Sequence, residues 1–175
     1  ETVAAYDFTP SGVSVQLQSG ENVRSALVVA ADGRNSTARQ AAGIDTVNFA
    51  YGQSAITATI GHTLPHHGRA EEHFRRNGPL AILPLTGDRF SLVWVEADAE
   101  VARLMSLDDN SFSDALQSAV GDHLGELCLL NQRTSWPLKL QIAKQFASER
   151  LCLIGDAAHV IHPIAGLGFN LGLKD

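Results

Sequence analysis

Two short apolar runs, Ala26–Ala31 and Arg150–Ile154, limit what this chain can fold into more than any other feature. Both read as strands buried on two faces, the pattern of a parallel sheet. The first ends on Asp32-Gly33 and the second on Gly155-Asp156. In α/β folds the carboxyl ends of such strands are where ligands bind. Most of the chain lies between the two runs, and it is patterned differently. Ser54–Ile60, Ala70–Arg75, Leu80–Leu85 and Phe90–Glu96 alternate, with turn signals at Asn77-Gly78-Pro79 and Gly87-Asp88, which predicts an antiparallel meander. Ala97–Ser106 and Ser111–Val120 have helical spacing, with Leu104, Leu107, Phe112, Ala115, Leu116 and Ala119 as the apolar positions and Gly121 as the stop. Leu127–Leu140 returns to a strand pattern around Trp136-Pro137. At the start, Thr2–Asp7 and Val13–Leu17 predict a hairpin across Pro10-Ser11-Gly12. The expected fold class is therefore α/β (α+β). Residues 1–48 and 141–175 form one domain, and residues 49–140 form an inserted antiparallel sheet domain with flanking helices.

The second strand end carries the most chemistry. Gly155 lets the backbone turn without a Cβ clash. Asp156 then stands at the strand's carboxyl end as a bidentate acceptor for ligand hydroxyls. His159 and His162 follow, and Pro163 stiffens the loop. Gly166 and Gly168, on either side of Leu167, permit close approach of backbone to a flat ligand. A helix starting near Gly168 turns its free N–H groups toward that ligand and favours negative charge there. Asn170 lies in its first turns. At the first strand end, Ser36 is placed to cap a helix over Thr37–Ala42 that stops at Gly43. Arg39, one turn in, is positioned to pair with Asp32 or with a phosphate oxygen.

Residues 153–175 resemble the Gly-Asp motif of FAD-dependent aromatic-ring hydroxylases, and Asp32-Gly33 through Arg39 resembles the Asp-Gly motif of the same family. The run His67–Phe74, with Gly78–Leu85 and Ser91–Trp94, resembles the substrate domain of the ubiquinone-biosynthesis branch. This implies a Rossmann-like FAD-binding domain, only part of which is present, plus a substrate domain. It implies Asp156 at the ribityl chain of FAD, with Gly155, Pro163, Gly166, Leu167, Gly168 and Asn170 at the flavin and Asp32 and Arg39 on its phosphate side. Leu167 replaces the family's usual Gln, which implies altered packing rather than lost binding. By the same likeness Leu80, Ile82, Pro84 and Trp94 roof the flavin and the phenol ring. The implied reaction is a flavoprotein monooxygenase hydroxylation of a prenylated phenol with O2, with NADH or NADPH as electron donor. No general base is assignable. A prenylated substrate implies contact with a membrane surface or with other ubiquinone-biosynthesis proteins. Two alternatives stay open: a related flavoprotein acting on another aromatic or isoprenoid substrate, and a noncatalytic domain that binds a quinone-like lipid.

The family's opening strand and Gly-x-Gly-x-x-Gly loop have no counterpart here. With Glu1 opening directly into a strand and Asp175 ending inside a helix, we read the chain as cut short at both ends, and expect it to bind FAD weakly or not at all on its own. The remaining features exclude more than they add. Thirteen Lys and Arg residues are scattered in a chain of net charge -6, which argues against a nucleic-acid surface. No apolar run approaches the ~20 residues that span a bilayer. Cys128 and Cys152 form no disulfide framework, so a reducing, cytoplasmic setting is expected, with Cys152 as a small buried hydrophobe. His62, His66, His67 and His73 could cluster, but no Cys or carboxylate completes a zinc pattern, and no metal is expected.

Overall fold

The computed structural model describes residues 1–175. In chain order, β1 (Val3–Thr9), β2 (Gly12–Leu17), β3 (Asn22–Ser25) and β4 (Val28–Ala30) lead to α1 (Thr37–Ala41). The insertion's strands follow: β5 (Thr46–His62), β6 (Glu71–Arg75), β7 (Gly78–Leu85) and β8 (Arg89–Ala97). Of these, β6, β7 and β8 form the expected meander, whereas β5 pairs with β8 rather than β6. Next come α2 (Asp98–Ser106), α3 (Asp109–Val120), β9 (Leu127–Leu129) and β10 (Thr134–Ala143). The chain closes with β11 (Ala147–Ser148), β12 (Leu151–Leu153), β13 (His159–Val160) and α4 (Leu167–Gly172). It divides into two compact units, one of Glu1–Ala50 with Lys139–Asp175, the other of Tyr51–Leu138.

In the first unit, β1, β2 and β3 form an antiparallel sheet, with Thr9 opposite Gly12 at the hairpin. The two apolar runs do pair in parallel: Val28 lies opposite Leu151, Val29 opposite Cys152 and Ala30 opposite Leu153. They are not covered on both faces. Leu151, Leu153 and Ala30 pack with Ala38, Ile44, Ala143 and Ala158 in one core. Leu27 and Val29 point the other way and are more than half exposed, and Cys152 is half-buried. In the sheet, ordered β11-β12-β4, Leu27, Val29 and Cys152 share the face opposite that core. An unbroken apolar run does not show whether both of its faces are covered.

The second unit is a sheet backed by two helices. Register aligns Ile56, Trp94 and Leu80 across three strands, and Ala58, Leu92 and Ile82 beside them. These side chains share one face because strand residues alternate with period two. That face packs against Val101 and Leu104 of α2 and Phe112, Leu116 and Val120 of α3. The α3 residues recur every fourth position, the stripe a core-facing helix needs. Helix α3 starts earlier than its apolar spacing predicts, because the Asp108 carboxylate accepts from the Ser111 amide at 2.8 Å and caps it. Gly121, at φ 88°, ends it as expected. The predicted strand over Leu127–Leu140 is two strands. Between β9 and β10, Asn131 accepts from the Thr59 amide at 2.7 Å and takes a place in the β5 ladder that backbone would otherwise fill. Arg133 turns inward, donating to the Leu104 and Leu107 carbonyls at the end of α2 and lying 4.6 Å from the Phe112 ring centre.

Candidate functional site

Helix α1 forms where predicted. The Ser36 hydroxyl accepts from the Arg39 amide at 3.0 Å as its N-cap. Asp32 adds a second acceptor at the same helix end, taking hydrogen bonds from the Thr37 amide at 2.8 Å and the Ala38 amide at 3.2 Å. Partial burial pushes the Asp32 pKa up, but the hydrogen bonds from Ser36, Ala38 and Thr37 outweigh it and hold it below the usual 3.8. A carboxylate favoured in the folded state stabilises it above the unfolded pKa, and that contribution disappears as pH falls through the depressed value. We therefore expect a wild-type melting temperature that drops below about pH 4 and an Asp32→Asn variant with a shallower acid slope. Equal slopes in thermal unfolding scans would contradict this.

Arg39 departs from expectation. It pairs with neither Asp32 nor open space for a phosphate, and it is only 5% exposed. Its guanidinium donates to the Ala157 carbonyl at 2.6 Å and to the Arg34 carbonyl at 2.9 Å. The Gln141 side chain also donates to Arg34, at 2.7 Å. Asp32 is already engaged by helix amides. A buried guanidinium needs acceptors, and these two carbonyls supply them. Arg39 thus ties the first motif's turn to the second motif's turn.

In that second turn, Gly155 has φ 56°, a left-handed conformation that glycine takes without strain. A short 3-10 turn over Gly155–Ala157 follows. Ala157, Ala158 and His159 point inward, whereas Asp156 is exposed at the carboxyl end of β12. Pro163 is half-buried with φ -70°. Beyond it Ala165 takes φ 55°, strained for a residue with a side chain, and Gly166 takes 61°. Helix α4 then runs from Leu167, which is 44% exposed. Asn170 donates back to the Gly166 carbonyl at 3.3 Å. A methyl group added at Gly155, Gly166 or Gly168 would meet no atom within 4 Å, so these backbones face open space. Gly172 is different: a Cβ there would stand 3.2 Å from the Gly155 Cα, so α4 sits directly on the turn.

Sequence reasoning gave His159 and Asp175 no function beyond their place in the motif. His159 is buried, and its Nε2 lies 2.9 Å from Asp175 Oδ2, which also accepts the Gly155 amide at 2.7 Å. These bonds, from His159 first and Gly155 second, hold the Asp175 carboxyl below its usual pKa. Nothing local in the sequence marks such a pair.

Three of the four residues expected at the substrate lie in the core rather than on an open surface. Leu80, Ile82 and Trp94 are at most 4% exposed and lie in the core beneath α2 and α3, with Trp94 tilted against Phe112 at 6.1 Å. Pro84 shares their face and is half-buried. Helix packing takes up Leu80, Ile82 and Trp94 on this face. The sheet's other face, with Thr57, Ala81, Leu83 and Val93, is the more open one. Of the histidines singled out, His62 is buried and hydrogen-bonds the Leu64 carbonyl, and His66 contacts the Leu85 and Gly87 carbonyls. His73 and His123 both contact Glu71, whose other oxygen takes Arg69. No three of the His, Cys, Asp and Glu residues are grouped to hold a metal ion.

A parallel strand pair with two tied motif turns, an outward carboxylate and open glycine backbone defines a dinucleotide-cofactor domain, here carrying an antiparallel insertion. The chain belongs to the FAD binding domain family, which it matches over residues 5–175. FAD is the cofactor that membership assigns. Among relatives, it is 48% identical over 164 residues to the ubiquinone hydroxylase UbiL of Rhodospirillum rubrum, covering 94% of this chain and 38% of that protein. It is 35% identical over 161 residues to the 3-demethoxyubiquinol 3-hydroxylase of Escherichia coli, covering 92% of this chain and 41% of that one. The chain thus spans about two fifths of each relative's length. Among solved structures, PqsL of Pseudomonas aeruginosa, a probable FAD-dependent monooxygenase, matches 98% of this chain and 50% of its own, with TM-score 0.78 and 25% identity. The flavin-dependent halogenase CmlS matches 98% of this chain and 33% of its own at TM-score 0.77 and 20% identity, a likeness of fold. No helix is long and apolar enough to cross a membrane.

Proposed function

We propose that this chain is part of an FAD- and NAD(P)H-dependent monooxygenase that hydroxylates a prenylated phenol in ubiquinone biosynthesis. The observation that carries the reading is Asp156: an outward carboxylate at the end of a parallel strand, in a turn otherwise pinned from behind. Its two oxygens suit vicinal hydroxyls of a ribityl chain. Gly155, Gly166 and Gly168 leave room for the backbone to meet a flat ring system. Asp32 and Arg39 support the site from within, by ordering α1 and joining the turns. FAD supplies the redox and oxygen chemistry, and the protein supplies binding and orientation. The names of the relatives support the ubiquinone pathway, and a prenyl tail on the substrate supports contact with a lipid surface. The open sheet face with Leu83 and Val93 offers apolar surface for an aromatic substrate.

The test is Asp156→Ala in the full-length protein. Losing a bidentate acceptor for ligand hydroxyls is expected to weaken FAD binding by roughly tenfold to a hundredfold, since hydrogen bonds to charged groups contribute about 1.5–3 kcal/mol. Melting temperature without FAD should not change, because Asp156 is exposed. Titration of the apoprotein with FAD, followed by flavin fluorescence, reads this directly. Unchanged affinity would end the reading. NAD(P)H oxidation and product analysis with prenylated phenols then test the substrate.

A further inference from the structure

We propose that Asp175 is a positioning residue for the flavin: by holding the Gly155 amide and the His159 ring together, its carboxylate fixes the direction in which Asp156 is presented. This rests on the function proposed above.

Gly155 is the most permissive residue type, in a left-handed conformation, immediately before the carboxylate that matters. Left alone, such a residue would let Asp156 swing. The turn is instead pinned at three backbone points. Asp175 Oδ2 accepts the Gly155 amide at 2.7 Å. The Ala158 amide donates to the Gly155 carbonyl at 2.9 Å. Arg39 takes the Ala157 carbonyl. The first two pins both hold Gly155, the residue on the strand side of Asp156, and of these the first comes from a side chain. Asp175 is itself held, because His159 Nε2 lies within 3.0 Å of both its oxygens and its side chain keeps only 15% of its exposure. That contact puts a proton on Nε2 of His159, a ring also packed against Phe146 with centroids 5.8 Å apart. The other ring nitrogen, Nδ1, is buried without a partner. The hydrogen bond that the ring makes is therefore the one from Nε2 to Asp175. The contact of Gly172 with Gly155 brings α4 near enough for Asp175 to reach back.

The experiment uses the full-length holoenzyme with Asp175→Ala, Asp175→Asn and Asp156→Ala. Three readings are taken: FAD dissociation constant, flavin midpoint potential, and hydrogen exchange over residues 155–160. Asp175→Ala is expected to weaken FAD binding about tenfold, move the potential, and speed exchange in that segment. Asn can accept the Gly155 amide through its side-chain oxygen, so Asp175→Asn should restore affinity and exchange. A purely structural role for Asp175 would lower the melting temperature of Asp175→Ala while affinity, potential and exchange match wild type, and that result overturns the proposal. Failure of Asn to restore affinity and exchange also overturns it. Should Asp175→Ala not fold, His159→Phe keeps the ring volume and loses the bond: faster exchange in the segment supports the proposal, unchanged exchange overturns it. If Asp156→Ala alone leaves FAD affinity intact, the flavin reading falls and takes this inference with it. A weakened Asp156→Ala beside an unaffected Asp175→Ala sinks only the positioning role.

Discussion

Replacing Phe112 with alanine should destabilise the unit of residues 51–138 by about 3–5 kcal/mol. Phe112 has no exposed surface. It sits on the buried stripe of α3, with the Trp94 ring centre 6.1 Å and the Arg133 guanidinium 4.6 Å from its own ring centre. Truncation removes a large apolar group and leaves a cavity in a core whose neighbours come from both the sheet and the helices, so collapse is hindered. It also strips Arg133, which joins α2 to the segment before β10, of its ring contact. Urea unfolding should show a lower midpoint at unchanged slope. Phe112→Leu, which keeps most of the volume, should cost far less. A loss below about 1 kcal/mol for the alanine variant, the usual level of surface changes, would mean that this core is not packed as described.

Arg39→Met comes next in expected effect, at about 2–4 kcal/mol, because two carbonyls in or beside the motif turns lose a charged donor. Its side-chain bulk is largely kept, so the loss reports the hydrogen bonds rather than a cavity. Arg39→Lys should rescue little. One ammonium on a flexible stem does not reproduce a planar fork that reaches two acceptors at once. FAD affinity should fall along with stability, since Ala157 follows Asp156 directly. Thermal unfolding and FAD titration of the same variants check both. Wild-type affinity in a destabilised Arg39→Met would show that the turn keeps its shape without the tie.

What could be read in the sequence was what local pattern encodes. The hairpin, the capped α1, the meander and the two helices follow from alternation, fourfold spacing and turn residues, and the parallel pairing of the apolar runs followed from their composition. Three things escaped. The run at Leu27–Ala30 does not show whether both of its faces are covered, so the exposure of Leu27 and Val29 was not visible. Alternation places Leu80, Ile82 and Trp94 on one face but does not say which face the helices cover. The partners of Arg39 and Asp175 were hidden for a different reason. A buried guanidinium seeking a carbonyl, or a carboxylate reaching an amide many residues back, is set by tertiary approach, and neither leaves a periodic trace.

The tie between Arg39 and Ala157 also constrains the order of events as the chain is made. During synthesis β4 and α1 emerge long before β12 and the carbonyl that Arg39 must reach, and closing a loop of that length costs about 4 kcal/mol by the logarithmic rule. The β6-β7-β8 part of the insertion pairs neighbour with neighbour and can settle first. Once it does, Thr57 and Trp136 are hydrogen-bonded at 3.3 Å, so the two ends of the insertion are drawn together. The long loop becomes a short one, and the parallel strands meet with much of the entropic barrier already crossed. Variants that slow the meander should therefore delay cofactor uptake during refolding even where every residue near Asp156 is native.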